Sequence, residues 1–411
     1  MSQSGTIAAA GKKAGGYFSF ARTPFAIAEL DGLRAIAILL VLLRHAAHPL
    51  QQGHGAVLAF YGWDMATPFI NGWIGVDLFF VLSGFLISCH LMRRNIAGGA
   101  TAAPRHCGPG AGRAWSWRRY LSARALRIVP TYLFVMAIVV AGLIPLYHIA
   151  GGLMGVRIGY HILFLQDYLP ANIVVSFWSL GVEEKFYLLA PLLILATLRL
   201  GRPRQRYALL AGIILLPSLL RVMTALAHPQ IDSYEAFFPI FRSPFHLSFD
   251  GLIIGVLCAQ IHMDRALVEK LRAGAIFQLA WLAGLAIILS HLLLTDLMGT
   301  IGWYDKSIQP LVISIGFGLI LMSVICDNKD HRLLGSWGAL MMARISYPLY
   351  LIHLPLIPLA LAVQGPGAAA GFSGFASFAI VFISMSMLAA LVIHFLVEKP
   401  FLLLKERMSA R

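Results

Sequence analysis

The stretch LDGLRAIAILLVLLRHAAHPL, residues 30–50, decides the fold. It is an apolar run of about 20 residues, the length a helix needs to cross hydrocarbon, yet Arg34 and His45 lie inside it. At about 100° and 1.5 Å per residue, the eleven steps between them make nearly three turns, so the two side chains share a helix face roughly 16 Å apart. Ionisable groups within a span are costly and usually face a protein interior or a wet cavity, which makes function the first reading of the pair. The competing reading lets Arg34 snorkel to lipid headgroups and lets His45 merely end the span.

The rest of the chain agrees with the opening stretch. Hydrophobic residues make up 59% of the 411 and charged residues only 12%, and long apolar runs recur from Leu30 to Val397, which excludes a soluble domain. The fold class is an all-α polytopic membrane protein. Apolar periodicity predicts about ten spans, near 30–50, 72–92, 128–148, 180–199, 207–227, 246–262, 273–295, 308–326, 341–361 and 375–397. With that register, 25 of the 32 Lys and Arg fall in segments on the same side as both termini. Positively charged loops stay in the cytoplasm, so both termini are expected there. The net charge of +14 then follows from topology and anionic lipid contact and calls for no nucleic acid partner.

No cleavable signal peptide is expected, because the first apolar run is too long for an h-region and follows Lys12, Lys13 and Arg22. Cys89, Cys107, Cys258 and Cys326 have no CxxC spacing, which argues against a disulfide framework or a zinc site, and no metal is predicted. His106 and Cys107 lie among Gly, Pro and Ala and read as loop. There is no internal repeat, P-loop, dinucleotide-binding glycine pattern or GxSxG elbow.

Several polar groups interrupt the spans. WSLGVEEKFYLLAP carries Glu183, Glu184 and Lys185 directly into an apolar run. Successive residues point about 100° apart, so one carboxylate lines a cavity, or an interfacial Glu–Lys pair forms instead. Arg124 and Arg127, in WSWRRYLSARALRIVPTYLF, share a face at a helix entrance and can grip phosphate, although positive-inside topology alone accounts for them equally. Asp77, Phe80 and Gly84 form one stripe of the second span, with Ser83 beside it; Asp77 is a candidate cavity-lining group, while Gly75 and Gly84 most simply allow close helix packing. Ser346, Tyr350 and His353, spaced by four and three, form another polar stripe facing the same cavity. Asp250 lies eight residues after Arg242, and a structural ion pair is its leading reading. Residues 157–178 are too polar to span, and are either a re-entrant segment or a surface helix. The aromatic loop 51–71 either shapes an acceptor groove or sits at the interface.

Taken in order, LDGLRAIAILLVLLRH, GVDLFFVLSGFLIS, RRYLSARALRIVP, WSLGVEEKFYLLAP, FDGLIIGVLCA, ISYPLYLIHLP and VEKPF resemble the integral membrane acyltransferase-3 family. The resemblance covers about residues 28–402, flanked by tails at 1–27 and 403–411. It implies a membrane O-acyltransferase of the bacterial cytoplasmic (inner) membrane, which moves an acyl group, most often acetyl, from cytoplasmic acyl-CoA to a hydroxyl of a cell-surface or exported glycan. The family's basic residue, ten intervening residues and histidine match Arg34 and His45. Its RxxR motif matches Arg124 and Arg127, and Glu183 rather than Glu184 is chosen by the same resemblance.

A fused SGNH hydrolase-like domain, found in some members, is not expected here. On this reading the partners are acyl-CoA as donor substrate, a glycan or lipid-linked sugar acceptor, the bilayer and other polysaccharide assembly proteins, with no bound cofactor. Arg124, Arg127 and Arg34 hold the nucleotide end, and His45 acts as general base or becomes acylated. Glu183 orients or charge-balances the imidazole, and Ser346, Tyr350 or His353 donates to the thioester oxygen. A reading from another class is a proton-coupled transporter or flippase of a glycan precursor, which the same buried charges would serve.

Overall fold

The structure, a computed structural model, describes residues 16–20, 22, 27–47, 59–60, 63–96, 116–295, 300–327, 333–365 and 371–410. All ten predicted runs are helical. In chain order the main helices are α1 (Glu29–Ala46), α2 (Gly75–Ile96), α3 (Trp117–Val140), α4 (Met154–Ile162), α5 (Trp178–Arg199), α6 (Pro203–Ala227), α7 (Asp250–Met263) and α8 (Arg265–Ala273). They continue as α9 (Ile276–Leu294), α10 (Gln309–Cys326), α11 (Trp337–Ile352), α12 (Ile357–Gln364), α13 (Gly371–Ile393) and α14 (Lys399–Ala410). Among the described residues the only strands are Ala59–Phe60 and Trp63–Asp64, paired antiparallel before α2.

Among the described residues six helices are long and apolar enough to cross a membrane, or up to eight if each of two bent pairs counts as one span, and the chain is a multi-pass membrane protein. α7 and α8 meet at 88°, and α11 bends by 63° into the segment ending at Gln364. The first bend falls at Asp264, whose side chain accepts from the Leu267 amide at 3.0 Å and so starts α8. α1 and α5 stand outside that number because of their charge: α1 carries Glu29, Asp31, Arg34 and Arg44, and α5 carries Glu183, Glu184, Lys185 and Arg199.

Burial separates inner helices from outer ones. The apolar windows of α2 and α10 are 78% buried, whereas those of α3, α6, α9 and α13 are 22–33% buried and turn rows such as Leu215, Leu219, Met223 and Leu226 outward. An apolar face on that scale has lipid as its solvent. The inner helices approach closely through glycine. A Cβ on Gly84 would stand 2.0 Å from the Leu252 carbonyl oxygen of α7, and one on Gly75 2.5 Å from that of Ala37 in α1. The packing role read for these glycines is borne out.

Two boundaries differ from expectation. The third span was predicted at 128–148, but α3 runs from Trp117 to Val140, with Ser116 as extended N-cap. Its polar first half is helical and turns Arg124 and Arg127 to a cavity, so these two sit two turns inside the helix rather than at its entrance. The segment 157–178 holds the short helix α4 and then irregular backbone, which the protein itself satisfies. Tyr132 donates to the His161 carbonyl at 3.0 Å, Lys185 to that of Phe164 at 2.7 Å, Gln166 to that of Phe177 at 2.9 Å and Tyr147 to that of Ile173 at 2.7 Å. Lys185 also pairs with Asp167 at 2.6 Å, so the Glu–Lys pair considered for α5 does not form.

The buried charges pair differently from their order in the chain. Arg242 sits on a π-helical turn, Phe238–Arg242, which aims it at Asp77 of α2 with two bonds of 2.9 and 2.8 Å. Asp77 is therefore consumed by an ion pair and does not line the cavity, contrary to its sequence reading. Asp250 pairs with Arg221 at 2.7 Å, not with Arg242. The Arg221 fork also reaches the carbonyls of Ser307 and Leu247 and the Ser218 hydroxyl, which spends the donors of a fully buried guanidinium. Cys89, Cys258 and Cys326 are buried. Cys107, His106 and residues 51–58 and 61–62 of the 51–71 loop lie outside the described residues.

Candidate active site

Five helices line a partly open cavity of about 120 Å³. α1 contributes Arg34; α2 Phe79, Ser83 and Leu86; α3 Arg124, Arg127 and Ile128; α5 Ser179, Glu183 and Tyr187; α11 Ser346, Tyr347 and Tyr350. Helical spacing explains the selection. Residues 124, 127 and 128 share a face of α3, as do 179, 183 and 187 of α5 and 346, 347 and 350 of α11.

The charge in this cavity is unbalanced. Three guanidiniums face one lining carboxylate, Glu183. Among the described residues no carboxylate lies within ion-pair reach of Arg34, Arg124 or Arg127, since the nearby Asp31 is taken by Arg22 at 2.9 Å. Arg124 instead lies over the rings of Tyr120 and Tyr187, 5.9 and 5.8 Å from their centroids. Guanidiniums with open donors, one of them held over aromatic rings, suit an anionic ligand such as a phosphate.

Glu183 is held by a chain of hydroxyls. Tyr187 donates to Glu183 Oε2 at 2.9 Å, and Ser83 meets the Tyr187 oxygen at 3.1 Å. Tyr120 donates to the Tyr187 carbonyl at 3.0 Å, which ties α3 to α5 behind the cavity. The choice of Glu183 over Glu184 for the cavity agrees with this geometry. Its expected role beside the imidazole does not, because the hydrogen bond that Glu183 accepts comes from Tyr187.

His45 is on the same helix as Arg34 but beyond the cavity wall, where its Nδ1 stands 2.8 Å from the Val41 carbonyl and 3.3 Å from Nε2 of His353. His353 closes α11, is fully buried, and has its Nδ1 3.1 Å from the Leu349 carbonyl. The Tyr350 ring connects this pair to the cavity, 5.8 Å from His353 and 6.2 Å from Phe79. Two hydroxyls expected to stabilise developing charge are already engaged: Tyr350 donates to the Ser176 carbonyl at 3.0 Å, and Ser346 to that of Ala343 at 2.9 Å. They shape the cavity wall instead.

The structure thus brings Arg34, Arg124, Arg127, Glu183, Ser346 and Tyr350 around one cavity and sets His45 and His353 beside it. It leaves Asp77 out. Sequence reading passed over Tyr187, although its position four residues after Glu183 on one helix face was a usable signal.

A family model described as an acyltransferase domain matches residues 27–395. The chain is similar to YrhL of Bacillus subtilis, 25% identical over 395 residues that cover 91% of this chain and 54% of that protein. It is also similar to the peptidoglycan O-acetyltransferase OatA of Listeria monocytogenes, 23% identical over 356 residues that cover 81% and 50% of the two chains. For the O-acetyltransferase OatA of Staphylococcus aureus the identity is 24% over 353 residues, covering 82% and 51%. The chain spans about half the length of these curated relatives. No solved structure matches. The match takes in all five cavity-lining helices as well as both histidines, and the chain belongs to the acyltransferase-3 family.

Proposed function

We propose that the protein is a membrane O-acyltransferase of the bacterial cytoplasmic membrane that carries an acetyl group from acyl-CoA to a hydroxyl of a cell-wall glycan. The observation that carries the reading is the cavity in which Arg34, Arg124 and Arg127 outnumber a single carboxylate at a site connected, through Tyr350, to a pair of histidines. On the ten-span register, the 25 of 32 Lys and Arg that fall on one side support placing both termini, and the arginine end of the cavity, in the cytoplasm. The relatives named as acting on peptidoglycan support a glycan acceptor on the opposite side.

In this mechanism the guanidiniums hold the phosphates of coenzyme A while the pantetheine arm runs along the cavity towards His45. His45 takes the proton of the acceptor hydroxyl as its oxygen attacks the thioester carbonyl carbon. The C–O bond forms, the C–S bond breaks, and the leaving thiolate recovers the proton from His45, giving an ester and free coenzyme A. Imidazole suits both transfers because its ordinary pKa lies near neutrality.

The test is thiol release from acetyl-CoA by the purified protein, with and without peptidoglycan fragments, comparing wild type with His45→Ala. Glycan-dependent release, matched by ester and lost in the variant, is expected. Release that survives His45→Ala removes the histidine from the chemistry, and glycolipid movement across liposomes without acyl-CoA would replace the enzyme reading with transport.

A further inference from the structure

We infer that a second basic cleft, between the first turns of α3 and the helix α14, binds the headgroup of an anionic phospholipid. The cleft is partly open and has a volume of about 390 Å³. Arg118, Arg119 and Leu126 line it from α3, and Lys405 and Met408 line it from α14. No carboxylate is among its lining residues, and among the described residues none lies within ion-pair reach of Arg118 or Arg119. Glu406 follows Lys405 but points about 100° around α14 from it and is exposed. The cleft is separate from the cavity that holds Arg124 and Arg127. Leu126 and Arg127 are neighbours on α3 and point about 100° apart, so one face of that helix carries Arg119 and Leu126 to the cleft and another carries Arg124 and Arg127 to the cavity.

Depth and apolar surroundings select a lipid over a soluble anion. α3 is one of the helices long and apolar enough to cross a membrane, and at 1.5 Å per residue its 24 residues reach about 36 Å, more than the roughly 30 Å of hydrocarbon. Its first turns therefore stand at the level of the headgroups. There α3 exposes Trp117 and Leu121, at 38% and 36%, beside the two arginines, and α14 exposes Leu404 and Met408, at 44% and 48%. Exposed apolar groups next to exposed guanidiniums match the two halves of a phospholipid. The phosphate oxygens take the planar forks of Arg118 and Arg119, and the acyl chains cover the apolar rim. A free phosphate satisfies the charges and leaves that rim bare. The inference needs only the multi-pass fold and stands apart from the acyltransferase reading.

The experiment uses the full chain in detergent, with native mass spectrometry counting bound lipid as phosphatidylglycerol or phosphatidylcholine of the same acyl chains is titrated in. The wild type should bind phosphatidylglycerol about tenfold or more tightly than phosphatidylcholine, the factor that one charged hydrogen bond to phosphate supplies. The double variant Arg118→Gln, Arg119→Gln should lose that preference. The double variant Arg202→Gln, Arg204→Gln removes the same charge from exposed positions at the start of α6 and should keep it. An equal loss in both double variants would trace the preference to diffuse surface charge and overturn the inference. So would a wild type that binds the two lipids alike, a comparison that depends on no variant folding. Displacement of bound phosphatidylglycerol by inorganic phosphate or by coenzyme A would overturn it as well, because the cleft would then be a site for a free anion.

Discussion

Removing Asp77 and Arg242 together should cost far less than the sum of removing each alone. The carboxylate receives two parallel bonds from Arg242, at 2.9 and 2.8 Å, and the paired side chains are 3% and 6% exposed. The guanidinium is also flanked by the indoles of Trp73 and Trp178, at 5.3 and 5.2 Å. Asp77→Ala leaves that cation dry and without its counter-charge, a change worth ~3–5 kcal/mol when one partner of a buried pair is lost. The two indoles keep only the cation–π part, about 2 kcal/mol when desolvated. Arg242→Ala strands the carboxylate at similar cost. The double variant buries neither charge, so it should be no less stable than the worse single variant, giving a coupling energy of ~3–5 kcal/mol. Reversible unfolding by SDS titration in mixed micelles measures all four corners of the cycle. A coupling below about 1 kcal/mol, the range of exposed pairs, would refute the buried ion pair as a structural element.

Other outcomes follow from the same geometry. Gly84→Ala places a methyl 2.0 Å from the Leu252 carbonyl and should destabilise by ~1–3 kcal/mol as α2 and α7 separate; Gly338→Ala, with nothing within 4 Å, should leave the melting temperature unchanged. Arg124→Ala and Arg127→Ala should each raise the acetyl-CoA KM about tenfold or more, in line with losing a charged hydrogen bond to phosphate, and calorimetric binding of coenzyme A checks this without turnover. Tyr187→Phe deletes one hydroxyl that contacts both Glu183 and Ser83, and should lower kcat up to about tenfold in the thiol-release assay while the detergent melting curve stays in place.

The helices were legible because lipid demands long apolar runs, and runs of that kind are hard to hide. The Arg34–His45 interval and the RxxR pair were legible for a related reason: a charge inside such a run needs a cause. Pairings were not legible. Asp77 meets Arg242 across 165 positions and His45 meets His353 across 308, and no local pattern records either. Proximity in sequence even misled, since Asp250 follows Arg242 by eight residues but bonds to Arg221. The start of α3 was missed because WRRYLSARALR averages as polar, although Arg124 and Arg127 in it turn inward to a cavity. Tyr187 was hidden because a tyrosine near the end of an apolar run also reads as an interfacial aromatic.

The rigidity of α1 makes it a gauge. Arg34 and His45 stand on one uninterrupted helix, so the reach from guanidinium to imidazole is set by the number of residues between them rather than by how other helices settle. Exchanging one apolar residue for another at Ile36 or Leu39, which are 41% and 38% exposed, leaves that reach intact. Inserting a single residue after Leu40 lengthens it by about 1.5 Å and swings His45 by about 100°, away from His353. The stretch should therefore accept many spellings and only one length.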